Sequence, residues 1–424
     1  MGDRVPKWRP SPRSVRIFNM VVFGHGLEEW FFERWEDFKG WFTILARSLS
    51  SWCRENPAIL PLLLIPFLLL YLAVLYKIIQ IAAFMVTVGS LKEALRWSDL
   101  PFFRYEPVPA ALAIALGLFH LLGSVRAVRR LRLEGPRPLL DEIGAKRLGR
   151  AYELSGPAGR RRQEFWLYAN EWLAAAARIP PPDLYIMPEE RAINLMAMGL
   201  APDTSVICAT YASFAQLTDP EAEAMLAYGV ARIQNGSAAF ETRWSGVLYG
   251  LMSISLIGRR MARREEGWLW VPWLFELAMR GLGLIGSIAA RWFQALLCQG
   301  EAGEGDAAAI ELLGDLAVMR FRAKSKSRPE SAILREERRK GMEAGEKALA
   351  QALKTVHGWY LSGRIKTKMA LSIAPLFFAS PDLPAFSLRH PKLLGRIRDL
   401  DPDFAGNPVK VFPVPDSMMG GREM

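Results

Sequence analysis

The chain is 424 residues long, 51% hydrophobic and 11% aromatic, with a formal net charge of +11. That length holds an anchor and one or two folded domains, and the apolar, Trp- and Phe-rich balance leans towards a membrane protein. Cys53, Cys208 and Cys298 are scattered without metal spacing, so they read as buried thiols and imply no disulfide framework. The positive charge fits basic loops on the inner side of a membrane. Acidic protein partners and anionic headgroups are the other takers, and nucleic acid is disfavoured because no recognised binding motif accompanies the charge. No apolar run follows the basic N-terminus before Ala58, so a cleaved signal peptide is not expected.

Residues 1–57 form a polar, aromatic-rich cytoplasmic arm. Phe31, Trp35, Phe38 and Phe42 share one helical stripe, which either dips into the membrane interface or packs on the protein's own core. Residues 58–125 are expected to be a two-span transmembrane anchor. Ala58 to Val88 opens with an uncharged run long enough for a hydrocarbon layer of about 30 Å, with Pro61 and Pro66 as kink points and Lys77 as an interruption. Val108 to Val125 is the second span. Arg126, Arg129, Arg130 and Arg132 follow it, which places the next domain, and the arm with it, in the cytoplasm.

Residues 126–243 are read as the first half of an α+β domain. Asp183–Met187 and Ser205–Thr210 are β-branched and apolar and predict strands. Thr218 to Gly236 predicts one helix. Asp219 is its N-cap and Pro220 its first helical residue; Glu221 and Glu223 sit at the positive end of the dipole, and Asn235-Gly236 ends it. Residues 244–299 are an apolar helical hairpin. Arg259, Arg260, Arg263 and Arg264 between its arms favour packing on the domain or the inner leaflet over full crossing. Residues 300–424 complete the domain with a basic loop, a mixed-charge helix and an irregular tail from Asp401.

From about Pro182 to Asp401 a series of landmarks resembles the HtpX-like membrane zinc metallopeptidases. Asn194-Leu-Met-Ala-Met-Gly199 is similar to the family's NAFATG segment, and the strand ending Ala209-Thr210 to its AVT strand. Leu217 to Leu226 resembles the LxxDELexVLAHE approach, and Ile233-Gln-Asn-Gly236 the HIxNGD exit. Asp306, Ala309 and Leu312 match ExxADxxAxxL, and His390-Pro391 with Arg396-Ile397 and Leu400 match HPxxxxRIxxL. The departures fall on the chemistry. HExxH works because residues i and i+4 share a helix face, so two imidazoles converge on one zinc. Tyr228 and Arg232 stand at those histidines, Gly229 at the general-base glutamate, and Ala302 at the third ligand. The four histidines, His25, His120, His357 and His390, contain no i, i+4 pair. Neither a phenol nor a guanidinium is a zinc ligand, so no metal and no cofactor are expected.

Two further expectations follow from the resemblance. The segment Asn194, Met196, Met198, Gly199 borders the family's cleft, and its strand edge is expected to bind a partner segment or the protein's own tail. Arg232 is expected either to stand in place of the zinc and pair with Glu301, Glu304 or Asp306, or to point to solvent at the helix end. The expected architecture is therefore mainly α with a small β-sheet, a zincin-like α+β cytoplasmic domain on an N-terminal transmembrane helical hairpin in a bacterial-type inner membrane. The expected function is that of a catalytically inactive, metallopeptidase-like scaffold or binding subunit of an inner-membrane complex, and so not an enzyme. Its partners would be other subunits, membrane lipid and an acidic protein segment. Two rivals stand beside it. One is an active membrane metallopeptidase with a non-standard site. The other is a membrane adaptor for acidic substrates or nucleic acid in a secretion or conjugation apparatus, motivated by the basic 320–340 segment.

Overall fold

A computed structural model describes residues 107–262, 301–325, 329–359 and 393–406, with short pieces at 72–73, 76, 365, 376–379 and 421–423. In chain order the helices are α1 (Pro107–Glu134), α2 (Arg137–Glu142), α3 (Gly156–Ala177), α4 (Tyr211–Gln216), α5 (Asp219–Gln234), α6 (Ser237–Ala262), α7 (Glu301–Lys324), α8 (Ser331–Gly358) and α9 (Leu393–Leu400). The strands are β1 (Lys146–Arg147), β2 (Tyr152–Leu154), β3 (Asp183–Met187), β4 (Leu195–Met198), β5 (Val206–Thr210) and β6 (Gly421–Glu423).

Four strands form a mixed sheet in the order β1-β3-β5-β4, with β3 and β5 parallel and both outer pairings antiparallel. Successive side chains of a strand point to opposite faces, and here both faces are covered. Leu184, Ile186, Leu195, Ala197, Ile207 and Ala209 join a core built with α3, α5, α7 and α8. Met187, Met196, Met198, Val206 and Cys208 face the other way, against Leu131, Leu139 and Leu140 of α1 and α2. This two-sided burial explains why β4 and β5 read as unbroken apolar runs rather than alternating ones. β6 pairs with β2 in a separate two-stranded sheet, within the tail expected to be irregular.

α5 runs through the middle of the helical layer and is buried along most of its length. Its N-cap is Thr218, one residue before the expected cap. Glu221 closes a capping box by accepting from the Thr218 backbone N–H at 2.7 Å and from its hydroxyl at 2.8 Å. Thr355 Oγ1 on α8 donates to the other Glu221 oxygen at 2.7 Å, so one buried carboxylate caps α5 and ties it to α8. Arg320 on α7 pairs with Glu223, two residues further along α5. α7 runs on to Lys324, so the expected basic loop opens as helix through that residue. α8 is amphipathic as its mixed charges imply. Leu349, Leu353 and Val356 are buried, while Arg339 pairs with Glu336 at 2.7 Å on the exposed face.

The expected two-span hairpin is corrected. Among the described residues, no helix is long and apolar enough to cross a membrane. The second expected span, Val108 to Val125, opens the continuous helix α1, which runs on through Arg126, Arg129, Arg130 and Arg132 with no break. Nothing between Val125 and Arg126 stops a helix, so the change in hydropathy marks no end of the element. α1 instead packs along α6. Ser124 Oγ donates to the Val247 carbonyl at 3.1 Å, and a Cβ on Gly250 would lie 2.2 Å from Ser124 Cα, so only glycine permits this approach. α6 likewise runs through the boundary expected at 243/244. The first span apart from residues 72–73 and 76, the arm at 1–57 and the second arm of the 244–299 hairpin lie outside the described residues.

Candidate functional site

The site is built around the centre of α5, where it crosses the sheet at the β4 edge. Gly229 faces the sheet: a Cβ there would lie 3.1 Å from Leu195 Cδ2 and 3.2 Å from Ile207 Cδ1. The helix therefore sits close on β4 and β5, and no side chain projects from the general-base position. One residue earlier, Tyr228 points to α7, and a Cβ on Gly305 would lie 2.7 Å from its Cε2. The Tyr228 ring is 2% exposed and meets Phe378 edge-on at 4.9 Å between centroids. Two guanidinium groups lie against the same ring, that of Arg232 at 5.3 Å and that of Arg396 at 5.2 Å from its centroid.

Both arginines are buried, and each carries its own carboxylate. Arg232 pairs with Glu241 in the second turn of α6, and each side chain is 2% exposed. Arg396 of α9 grips Asp306 of α7 in a fork, Nε to Oδ2 at 2.8 Å and Nη2 to Oδ1 at 2.6 Å. Burial alone would lower the Arg396 pKa, but the charge of Asp306 and its hydrogen bonds reverse that and raise it above the ordinary value. Asp306 is the aspartate matched to ExxADxxAxxL and Arg396 the arginine matched to HPxxxxRIxxL, so two landmarks far apart in sequence meet as one ion pair.

The arginines also converge on a segment of main chain. Leu376–Ala379 lies along the outer edge of β4 with Met196 and Phe377 in antiparallel register. The Phe378 N–H donates to the Leu195 carbonyl at 2.6 Å. The Asn194 side chain closes a two-point amide clamp: its Nδ2 donates to the Ala379 carbonyl at 2.7 Å, and its Oδ1 accepts the Ala379 N–H at 3.1 Å. Arg232 Nη1 donates to the Leu376 carbonyl at 3.3 Å, and Arg396 Nη1 donates to the Phe378 carbonyl. Phe377 enters the Met-rich core on one side of the sheet and Phe378 the main core on the other. The edge of β4 is thus occupied by an extended stretch of the same chain, held by backbone pairing, one amide and two cations.

The sequence-predicted residues fall as follows. Asn194, Met196 and Met198 are fully buried at this edge. The Gly199 N–H donates to Thr242 Oγ1 at 2.9 Å just beyond it. Arg232 points into the cleft, and Glu241 of α6 is an ionic partner of its guanidinium. Asp306 is engaged by Arg396, Glu304 is exposed, and the side chains of Glu301 and Ala302 lie outside the described residues. Glu241 lies in the second turn of the next helix, just past the Asn235-Gly236 break, while Asp306 takes the bidentate fork of Arg396. Sequence reading missed Glu241, the role of Arg396 and the segment Leu376–Ala379. Arg396 carried a signal as a landmark; the other two carried none.

A catalytic zinc takes three protein ligands and a water. A buried phenol, a glycine and a guanidinium at the family positions do not supply them. Among the described residues, no three His, Cys, Asp or Glu side chains converge as a metal set. The residues at these positions do not fit zinc.

No family model matches the chain, and no solved structure matches it significantly. Curated proteins do. The Protease HtpX of Mannheimia succiniciproducens is 26% identical over 210 residues, 48% of this chain and 68% of the relative. The Protease HtpX of Actinobacillus pleuropneumoniae serotype 5b is 28% identical over 144 residues, 32% of this chain and 50% of the relative. That of Pasteurella multocida is 28% identical over 143 residues, 32% and 49%. The matched region spans about two thirds of the first relative and half of the other two. All three carry the name of a protease. They point to a peptidase, and the expectation that the chain is not an enzyme is corrected on that ground. The order of the landmarks and these relatives together make the chain similar to the HtpX proteases.

Proposed function

We propose that this chain binds extended polypeptide segments in the cleft between α5 and the β4 edge, as a binding or scaffold subunit of a larger assembly. The observation that carries this reading is the way Leu376–Ala379 is held. Its main chain pairs with Leu195, and Asn194, Arg232 and Arg396 take up its peptide groups. Contacts to peptide groups are indifferent to side-chain identity, so they give affinity for any extended chain, while the two cores flanking the sheet select apolar side chains. The test is titration of the full-length chain into a fluorescein-labelled unfolded polypeptide, reduced and carboxymethylated α-lactalbumin, followed by anisotropy. Saturable binding, weakened by Asn194→Ala in a variant that retains its melting transition, supports the proposal; no binding refutes it.

The second reading is hydrolysis at a non-standard site, favoured by the relatives' name. It needs ligands or catalytic groups from outside the positions of Tyr228, Gly229, Arg232 and Ala302. New N-termini in the bound polypeptide, detected by mass spectrometry and abolished by a chelator, would decide for it. Placement against the inner membrane belongs to the same proposal. It is supported by the resemblance and by an exposed apolar stripe on α1, Ile114, Leu118, Leu122 and Val125, which runs into exposed Arg126, Arg129 and Arg130. Recovery in the soluble fraction after lysis without detergent would count against it.

A further inference from the structure

We propose that Leu376–Ala379 is a displaceable internal ligand, so that the cleft is self-occupied and opens to an outside polypeptide only when this segment leaves the β4 edge. The inference rests on the polypeptide-binding reading and adds its regulation and its preferred ligand. The segment behaves as a ligand in each contact. It is joined to the sheet as an antiparallel addition at the outer edge of β4, beyond which the strand order ends. Its backbone bond to Leu195, the amide clamp of Asn194 and the guanidinium bonds of Arg232 and Arg396 all fall on main-chain groups that any other extended segment presents equally. Strand addition of this kind is exchangeable in principle, because an incoming strand regains every bond the outgoing one loses.

The side chains define the class of segment that fits. Phe377 sits with Met187, Met196, Met198 and Cys208 on one side of the sheet. Methionine is unbranched and polarizable and adapts to differently shaped apolar neighbours. Phe378 lies edge-on to Tyr228 and within 4.9 Å of the Arg396 guanidinium, an arrangement that favours an aromatic ring over an aliphatic one. The site therefore takes an extended segment carrying a large apolar residue followed by an aromatic one. Leu376, Phe377 and Phe378 are each fully buried, so the closed state strongly dominates and lowers the apparent affinity of an outside segment by the fraction of open molecules.

The probe is a fluorescein-labelled peptide with the sequence of residues 374–381, APLFFASP, added to the full-length chain. Phe377→Ala weakens the internal segment without touching the groups that grip a peptide backbone. The expected result is binding at least about tenfold tighter to Phe377→Ala than to the unaltered chain, through a larger open fraction. In the unaltered chain, saturating unlabelled peptide should speed hydrogen exchange at the Phe378 amide while leaving α5 protected. Equal affinity for the two proteins overturns self-occupation and leaves polypeptide binding standing. No binding of the peptide to either, where unfolded lactalbumin still binds, also overturns it. If Phe377→Ala does not fold, the exchange measurement decides alone, and unchanged Phe378 protection at saturating peptide refutes the proposal.

Discussion

Arg396→Met removes one partner of the best-formed buried ion pair and leaves Asp306, 4% exposed, without its two charge-assisted bonds. The same change leaves the Phe378 carbonyl short of a donor and takes a cation from the Tyr228 and Phe378 rings. Stranding one member of a buried pair costs about 3–5 kcal/mol, and these smaller losses are not additive with it. A domain of this size loses about 2–4 °C of melting temperature per kcal/mol, so the expected drop is roughly 6–20 °C. The double variant Arg396→Met, Asp306→Leu should regain most of it, since two apolar side chains of similar volume no longer strand a charge. Thermal melting by circular dichroism on the unaltered chain, both single variants and the double variant completes the cycle. A drop of less than about 2 °C for Arg396→Met, or a double variant as unstable as the sum of the singles, would show that the fork is not coupled as the geometry requires.

Arg232→Ala should likewise lower the denaturation midpoint by stranding Glu241, with Arg232→Met less damaging because it keeps the apolar stem packed; urea titration showing the two variants equal would contradict this. Gly199→Ala should destabilise the end of β4 by about 1–3 kcal/mol, because a Cβ would lie 2.5 Å from Ser205 Cα at a backbone φ of 150°; an unchanged melting curve would refute it. Burial raises the Cys208 pKa, so at pH 8.5 the thiol stays protonated and unreactive. In a Cys53→Ser, Cys298→Ser background, iodoacetamide should therefore label it only after denaturant is added, and rapid labelling of the native chain would show that the core around β5 opens readily.

Much of the domain around α5 was determined by sequence alone. The Thr218–Glu221 box, Pro220 and the Asn235-Gly236 end fix that helix through local bonds and dihedral preferences, and the reading missed its cap by one residue. β3 and β5 were visible because buried strands concentrate β-branched and apolar residues within a few positions. The same locality explains the misses. Leu376–Ala379 is a short apolar run that reads equally well as loop, strand or helix, and only its docking against Leu195 and Asn194 makes it an edge segment. β6 is three residues whose partner lies near the start of the domain. Arg232 announced a buried cation, but its pairing with Glu241 depended on where α6 placed that carboxylate, and no spacing along the chain encodes that. α1 shows the converse error. Hydropathy marked a boundary after Val125, yet helical backbone bonding continued through the arginines and α6 decided where the element packs. Sequence determined the elements whose stabilising contacts lie within a few residues; the cleft, where Asn194, Arg232 and Arg396 meet Leu376–Ala379 from segments far apart in the chain, was decided by tertiary packing, because burial and ion pairing reward proximity in space and leave no periodic trace in the chain.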